Sequence, residues 1–117
     1  MSEQEQLTVS TTVASSGVAT VSIVGEIDLV TAPGFRRTVS EALDFGGPVV
    51  LDLTKVVFID SSGLLELHRA SESGNAVFVI PPGAMVARVI ELGGLSEVLS
   101  IFEDVESAQR HAEAHRG

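Results

Sequence analysis

Val57-Phe58-Ile59-Asp60-Ser61-Ser62-Gly63-Leu64-Leu65 decides how this chain is read. An apolar run stops at four small or polar residues, and a helical pattern starts directly after them. Asp60, Ser61 and Ser62 can each cap a helix by accepting bonds from its first unpaired backbone N–H groups. The stretch therefore reads as a strand-to-helix turn that holds two serine hydroxyls near the surface. Such hydroxyls are within reach of another protein, and a charge added to one would change the local field.

Outward from this turn, strands and helices alternate. Leu7, Val9 and Thr11 interleave with Thr8, Ser10 and Thr12, the period of a strand with one wet face. Ser15-Ser16-Gly17 is a turn. Val18 to Ile27 is a second strand, with Val21, Ile23 and Gly25 on one face, and the two strands pair as an antiparallel hairpin. Thr31 is an expected N-cap, with Pro33 in the first turn and Phe35, Val39, Ala42 and Leu43 at helical spacing. Gly46-Gly47-Pro48 stops that helix. Val49 to Leu53 is apolar enough for a strand covered on both faces. Thr54-Lys55 is expected to break it, with Val56 to Ile59 leading into the serine turn. A helix from about Ser62 to Glu72 should turn Leu64, Leu67 and Ala70 or Ser71 inward.

Ala76 to Ile80 is the next buried strand. Pro81-Pro82-Gly83 opens a helix over Ala84–Leu92, with Val86, Val89 and Ile90 as its stripe, ended by Gly93-Gly94. Val98 to Phe102 is expected as a short last strand, and Val105 to Ala114 as the final helix, with Glu103, Asp104 and Glu106 suiting the dipole of its first turn. This order implies an α/β domain: a mixed, mostly parallel sheet with an N-terminal antiparallel hairpin, right-handed crossovers and about four helices. Residues 7–114 form the domain, 1–6 a flexible N-terminus and 115–117 a C-terminal tail. In open sheets of this kind functional loops gather at the carboxyl ends of the strands. Asp28 and Asp60-Ser61 should then share one rim.

The totals narrow the function. The 117 residues fit one domain that buries roughly two thirds of its unfolded surface. Hydrophobic residues make up 44% and mean hydropathy is +0.35, which excludes a disordered chain. There is no Trp or Tyr, so a base-stacking surface is missing. Sixteen acidic against seven basic residues, a net charge of −9, oppose binding to nucleic acid and anionic membranes. Zero cysteines exclude disulfides, thiol catalysis and Cys-based zinc sites. The polar N-terminus is unlike a secretory signal, and no apolar run approaches the ~20 residues of a membrane span. The expectation is a cytoplasmic protein with no membrane insertion.

Two readings of Asp60-Ser61-Ser62-Gly63 compete. One is a capped tight turn and nothing more. The other is a phosphoryl acceptor, where a phosphate adds about −1.5 to −2 charge and three acceptor oxygens. Because helix N-termini accept anions, the domain itself is expected to tolerate the phosphate, while a partner packed on the turn would be repelled. A hydrolase is disfavoured. His68 lies about two turns along the helix, roughly 10 Å from Ser61, and there is no G-x-S-x-G elbow. His111 and His115 have metal-pair spacing but supply only two ligands, and read as a solvated face. The glycine pairs are helix stops, not phosphate cradles. No cofactor, metal or catalytic residue is expected.

Together, Val49-Val50-Leu51-Asp52-Leu53 and Val57 to Leu64 resemble the signature of STAS-domain anti-sigma factor antagonists. Gly25-Glu26-Ile27-Asp28-Leu29-Val30-Thr31-Ala32-Pro33 resembles that family's other recurrent motif, and Val89 to Leu95 is similar to its third-helix ending. Three motifs in order, from about Leu7 to Ala108, make the resemblance specific. It implies a STAS-like fold and a bacterial partner switch in transcription regulation, and it extends to stress responses. The unphosphorylated antagonist binds an anti-sigma factor that is also a serine kinase, which frees a sigma factor. The kinase phosphorylates the serine after the motif's Asp, here Ser61 with Ser62 as second choice, and a serine phosphatase restores binding. The partner surface implied comprises Asp28, Thr31, Asp60, Ser61, Ser62, Gly63, Leu64 and Leu65. The family often has Gly after the motif's Leu. Leu65-Glu66 stand there instead, adding bulk and charge to the helix expected to meet the partner. The alternative is a STAS module that is never phosphorylated, serving as scaffold of a stress-sensing assembly or accessory subunit of a membrane transporter.

Overall fold

The computed structural model describes residues 6–115. The expectations for 1–5 and for 116–117 lie outside the described residues. The elements are β1 (Leu7–Val13), β2 (Ala19–Ile27), α1 (Ala32–Leu43), β3 (Val49–Ile59), α2 (Ser61–Ser71), β4 (Ala76–Val79), α3 (Met85–Leu92), β5 (Ile101–Phe102) and α4 (Val105–Ala114). The five strands lie in sequence order in one sheet. β1 pairs antiparallel with β2, and the remaining neighbours are parallel.

Alternation along the strands feeds two apolar layers. On one face Val21, Ile23, Leu51 and Phe78 pack under α1, α2 and α3, through Phe35, Val39, Leu67, Val86 and Ile90. On the other, Val50, Val77 and Val79 meet Ala108 and Ala112 of α4. Helices on both faces explain why β3 and β4 are apolar almost throughout.

Three expectations are corrected. Thr54-Lys55 does not break the strand: β3 runs unbroken from Val49 to Ile59. Its register against β2 slips there, with Asp52 opposite Ser22 but Lys55 opposite Val24. This is a β-bulge, held by Asp52, whose Oδ1 accepts from the Thr54 N–H at 3.0 Å and its hydroxyl at 2.7 Å. The slip moves the inward position from Leu53 to Val56, and a second slip between Gly25 and Glu26 moves it on to Ile59. The last strand is only Ile101–Phe102, because the Val98 and Leu99 amides turn back to the Leu95 carbonyl. Leu99 still plugs the core.

The third concerns Glu66, which was expected to present charge to a partner. It is 4% exposed. The Arg36 guanidinium of α1 grips both its carboxylate oxygens, with Nη2–Oε2 at 2.8 Å and Nε at 3.1 Å from each oxygen. Arg69 Nε stands 3.8 Å away. These hydrogen bonds, and then the charge attraction, hold the Arg36 guanidinium above its ordinary pKa. The pair joins the two helices beside the serine turn. Asp104 caps α4, accepting from the Ser107 N–H at 2.8 Å, which holds its carboxyl below the usual range.

Removing one partner of a buried pair strands the other charge, whereas an apolar replacement of similar volume does not. Arg36→Ala should therefore lower the denaturant midpoint clearly, since Glu66 keeps only the distant Arg69. Adding Glu66→Met should return the midpoint toward that of the parent. Chemical denaturation of the two variants checks this.

Candidate functional site

The site lies where β2 and β3 end side by side. Ile27 is paired with Ile59, and the Asp60 N–H donates to the Ile27 carbonyl at 3.2 Å. This bond places the loop after β2 against the turn after β3, so Asp28 and Ser61 lie on one rim.

Asp60 is the N-cap of α2, extended at φ −116° and ψ −168°. Its Oδ1 accepts from the Ser62 N–H at 2.9 Å and the Gly63 N–H at 3.2 Å. The Leu64 N–H donates to the Asp60 carbonyl at 2.9 Å. Three of the first four amides of the helix are thus already engaged. The Ser62 and Gly63 donors of this terminus thus serve Asp60. A phosphate on Ser61 would stand outside the ring of amides, next to a carboxylate.

Gly63 sets how closely the helix starts. A Cβ here would lie 2.5 Å from the Ile59 side chain and 2.8 Å from the Ile27 carbonyl oxygen. Only the absence of a side chain lets the first turn of α2 rest on the ends of both strands. Ser61 is exposed, Ser62 is half-buried and Gly63 is buried. Leu64 is half-buried, with its Cδ1 lying over Gly93 at the end of α3. Leu65 points outward at 48% exposure.

Asp28 organises the neighbouring loop. Its Oδ1 accepts from the Val30 and Thr31 N–H groups, each at 3.0 Å. The Thr31 hydroxyl donates to the Glu26 carbonyl at 2.8 Å and accepts from the Asp28 N–H at 2.9 Å. Thr31 stands at the N-cap of α1 as expected, but its side chain makes no cap bond. Its own backbone is helical, at φ −91° and ψ −16°, and its hydroxyl is committed to the loop. The loop so tied holds Leu29 and Val30 out in solvent, at 74% and 78% exposure. Neither was singled out from the sequence. The available signal was two apolar residues between Asp28 and Thr31, in a segment too polar at its ends to be core.

The rim thus combines an exposed hydroxyl, two carboxylates bound to backbone amides, and three exposed aliphatic side chains. His68 lies on the outer side of α2, 4.0 Å from Glu72. His111 stacks between Phe102 and His115 on α4. Among the described residues no group of three metal-binding side chains forms, and no helix is long and apolar enough to cross a membrane.

A family model described as the STAS domain matches residues 10–108. The anti-sigma-F factor antagonist RsfB of Mycobacterium tuberculosis is 37% identical over 112 residues, 92% of this chain and 91% of that protein. The crystal structure of an anti-sigma factor antagonist from Mycobacterium paratuberculosis superposes with a TM-score of 0.82 at 28% identity, covering 96% of this chain and 98% of that one. The Bacillus cell fate determinant SpoIIAA in its phosphorylated form shares the fold, with a TM-score of 0.62 at 16% identity over 89% of this chain and 99% of its own.

Adding a methyl group at Gly63 must push α2 off the strand ends. Overpacking of this kind costs about 1–3 kcal/mol. Gly63→Ala should lose that much in denaturant unfolding, while Ser62→Ala, one residue away and half-buried, should lose less.

Proposed function

The chain belongs to the STAS domain family, and on that footing we propose that it is an anti-sigma factor antagonist working as a phosphorylation-controlled partner switch. Unphosphorylated, it binds an anti-sigma factor that is a serine kinase, and a sigma factor is released. Transfer of the ATP γ-phosphoryl group to the Ser61 hydroxyl ends the complex, and a serine phosphatase restores it. The protein acts in the cytoplasm and performs no catalysis of its own.

The observation that carries this reading is the state of the helix terminus beneath Ser61. Its hydroxyl is exposed, and the amides that could absorb a phosphate are taken by Asp60. The new charge of about −2 would therefore project into whatever covers the rim. Leu29, Val30 and Leu65 supply the apolar area for a close-fitting partner, and such a partner excludes water from the turn. Burying an unpaired charge costs far more than the roughly 1.4 kcal/mol that separates tenfold steps in affinity. The fold has no need to change, since Asp60 keeps α2 capped in both states. Ser62 is the less favoured acceptor because it is half-buried. Asp28, Thr31, Asp60, Gly63 and Leu64 serve the surface by shaping it, and Leu65 by contact.

The test uses a candidate anti-sigma factor kinase and ATP, with mass mapping of the modified peptide and titration of the complex. The phosphate should map to Ser61. Ser61→Ala should bind within about twofold of the parent and accept no phosphate. Ser61→Asp should bind at least about tenfold more weakly, or about 1.4 kcal/mol. Equal binding by both variants would remove the switch.

A further inference from the structure

From Gln6 to Gly25 twenty consecutive residues carry no charge, in a chain where one residue in five is charged and the net charge is −9. That stretch is the β1–β2 hairpin, and β1 forms one border of the sheet. Natural border strands are guarded by lysine, proline, bulges or brevity, because their open backbone groups can pair with another chain. β1 has none of these guards. It runs seven residues, Leu-Thr-Val-Ser-Thr-Thr-Val, about 23 Å, its register against β2 is unbroken, and Ser10, Thr11, Thr12 and Val13 are all exposed.

The direction of the open groups follows from two bonds. The Glu26 N–H donates to the Gln6 carbonyl, and the Ala14 N–H donates to the Val18 carbonyl. Even-numbered positions thus face β2. By the alternation of an antiparallel ladder, Leu7, Val9, Thr11 and Val13 turn their backbone groups outward. The strand is also close to a palindrome. Read against a second copy in the opposite direction about Ser10, Leu7 meets Val13, Val9 meets Thr11, and Ser10 meets itself. The outward-facing positions are then the ones paired in hydrogen-bonded register.

We propose that β1 is a self-association edge: two copies join β1 to β1, antiparallel, about a two-fold axis at Ser10, so that two five-stranded sheets become one. The occupant is a second copy because the edge complements itself in sequence and in backbone pattern, and because it is the charge-free border of a strongly acidic molecule. Like charge keeps two such molecules apart elsewhere; here nothing repels. A cleft of about 540 Å³ between β1 and α1, bordered by Leu7, Val9, Val30, Gly34 and Arg37, gives the geometry a socket. Val13 shares the helix-facing side of β1 with Leu7 and Val9, yet α1 leaves it 52% exposed. In the pair, each Val13 comes opposite the other copy's Leu7, at the mouth of that cleft.

Sedimentation of the full chain should show a weight-average mass rising from 12.2 kDa toward twice that value across the micromolar to millimolar range. Thr11→Lys places a guard on the border, and Thr11→Pro removes one outward donor while sparing the ladder to β2. Both should remain monomers with unchanged circular dichroism, and Thr11→Lys alone suffices if the proline variant does not fold. Cα atoms of directly opposed residues outside the hydrogen-bonded pairs lie about 4.5 Å apart, within disulfide reach. Ser10→Cys should therefore cross-link on mild oxidation, and Ser96→Cys, exposed elsewhere, should not. A parent monomeric at every concentration overturns the proposal. So does dimerisation that Thr11→Lys leaves intact, or a Ser10→Cys variant that links no better than Ser96→Cys.

Discussion

The architecture depends on one close approach, that of the first turn of α2 to the ends of β2 and β3. The Asp60 amide reaches across to the Ile27 carbonyl, and Gly63 rests where any side chain would strike Ile27 and Ile59. A helix seated so tightly has no room for a connecting loop. The residue that follows the cap is therefore at the carboxyl rim of the central strand, and that residue is Ser61. Its exposure results from the packing beneath it.

Asp60 then has two consequences from one carboxylate. It satisfies amides that a helix start otherwise leaves open, and it denies those amides to any other anion. A STAS domain in which a phosphate could fold down onto the helix terminus would hide much of its charge. In this chain the Ser62 and Gly63 amides are already taken by Asp60. The Arg36–Glu66 pair holds the same helix from its other side. It links α1, whose first turn follows the Asp28 loop, to α2, whose first turn carries Ser61. The two halves of the rim are thus fastened through strand pairing and again through an ion pair.

The surface is divided by charge. The rim mixes carboxylates with exposed Leu29, Val30 and Leu65. The hairpin border carries no charge at all, and presents backbone groups with no electrostatic address beyond itself. These two surfaces adjoin at Val30, which belongs to the loop after β2 and also borders the cleft beside β1.

What the sequence determined by itself was the order and kind of the elements. Period-2 runs in the hairpin, unbroken apolar runs at Val49–Leu53 and Ala76–Ile80, and helical stripes ended by glycine pairs all act locally, and each was legible residue by residue. The serine turn was legible too, because Asp60-Ser61-Ser62-Gly63 after an apolar run has few other uses. Tertiary structure decided what depends on distant partners. Glu66 looks like a solvent-facing charge until Arg36, thirty residues earlier, is folded over it. Thr54-Lys55 looks like a break until β2 supplies a ladder that a bulge can interrupt without ending. Thr31 holds the N-cap position, and its hydroxyl looks free to cap until Glu26 and Asp28 claim it. In each case the local residue types were compatible with two outcomes. The choice fell to a contact across the chain, whose energy no local pattern contains.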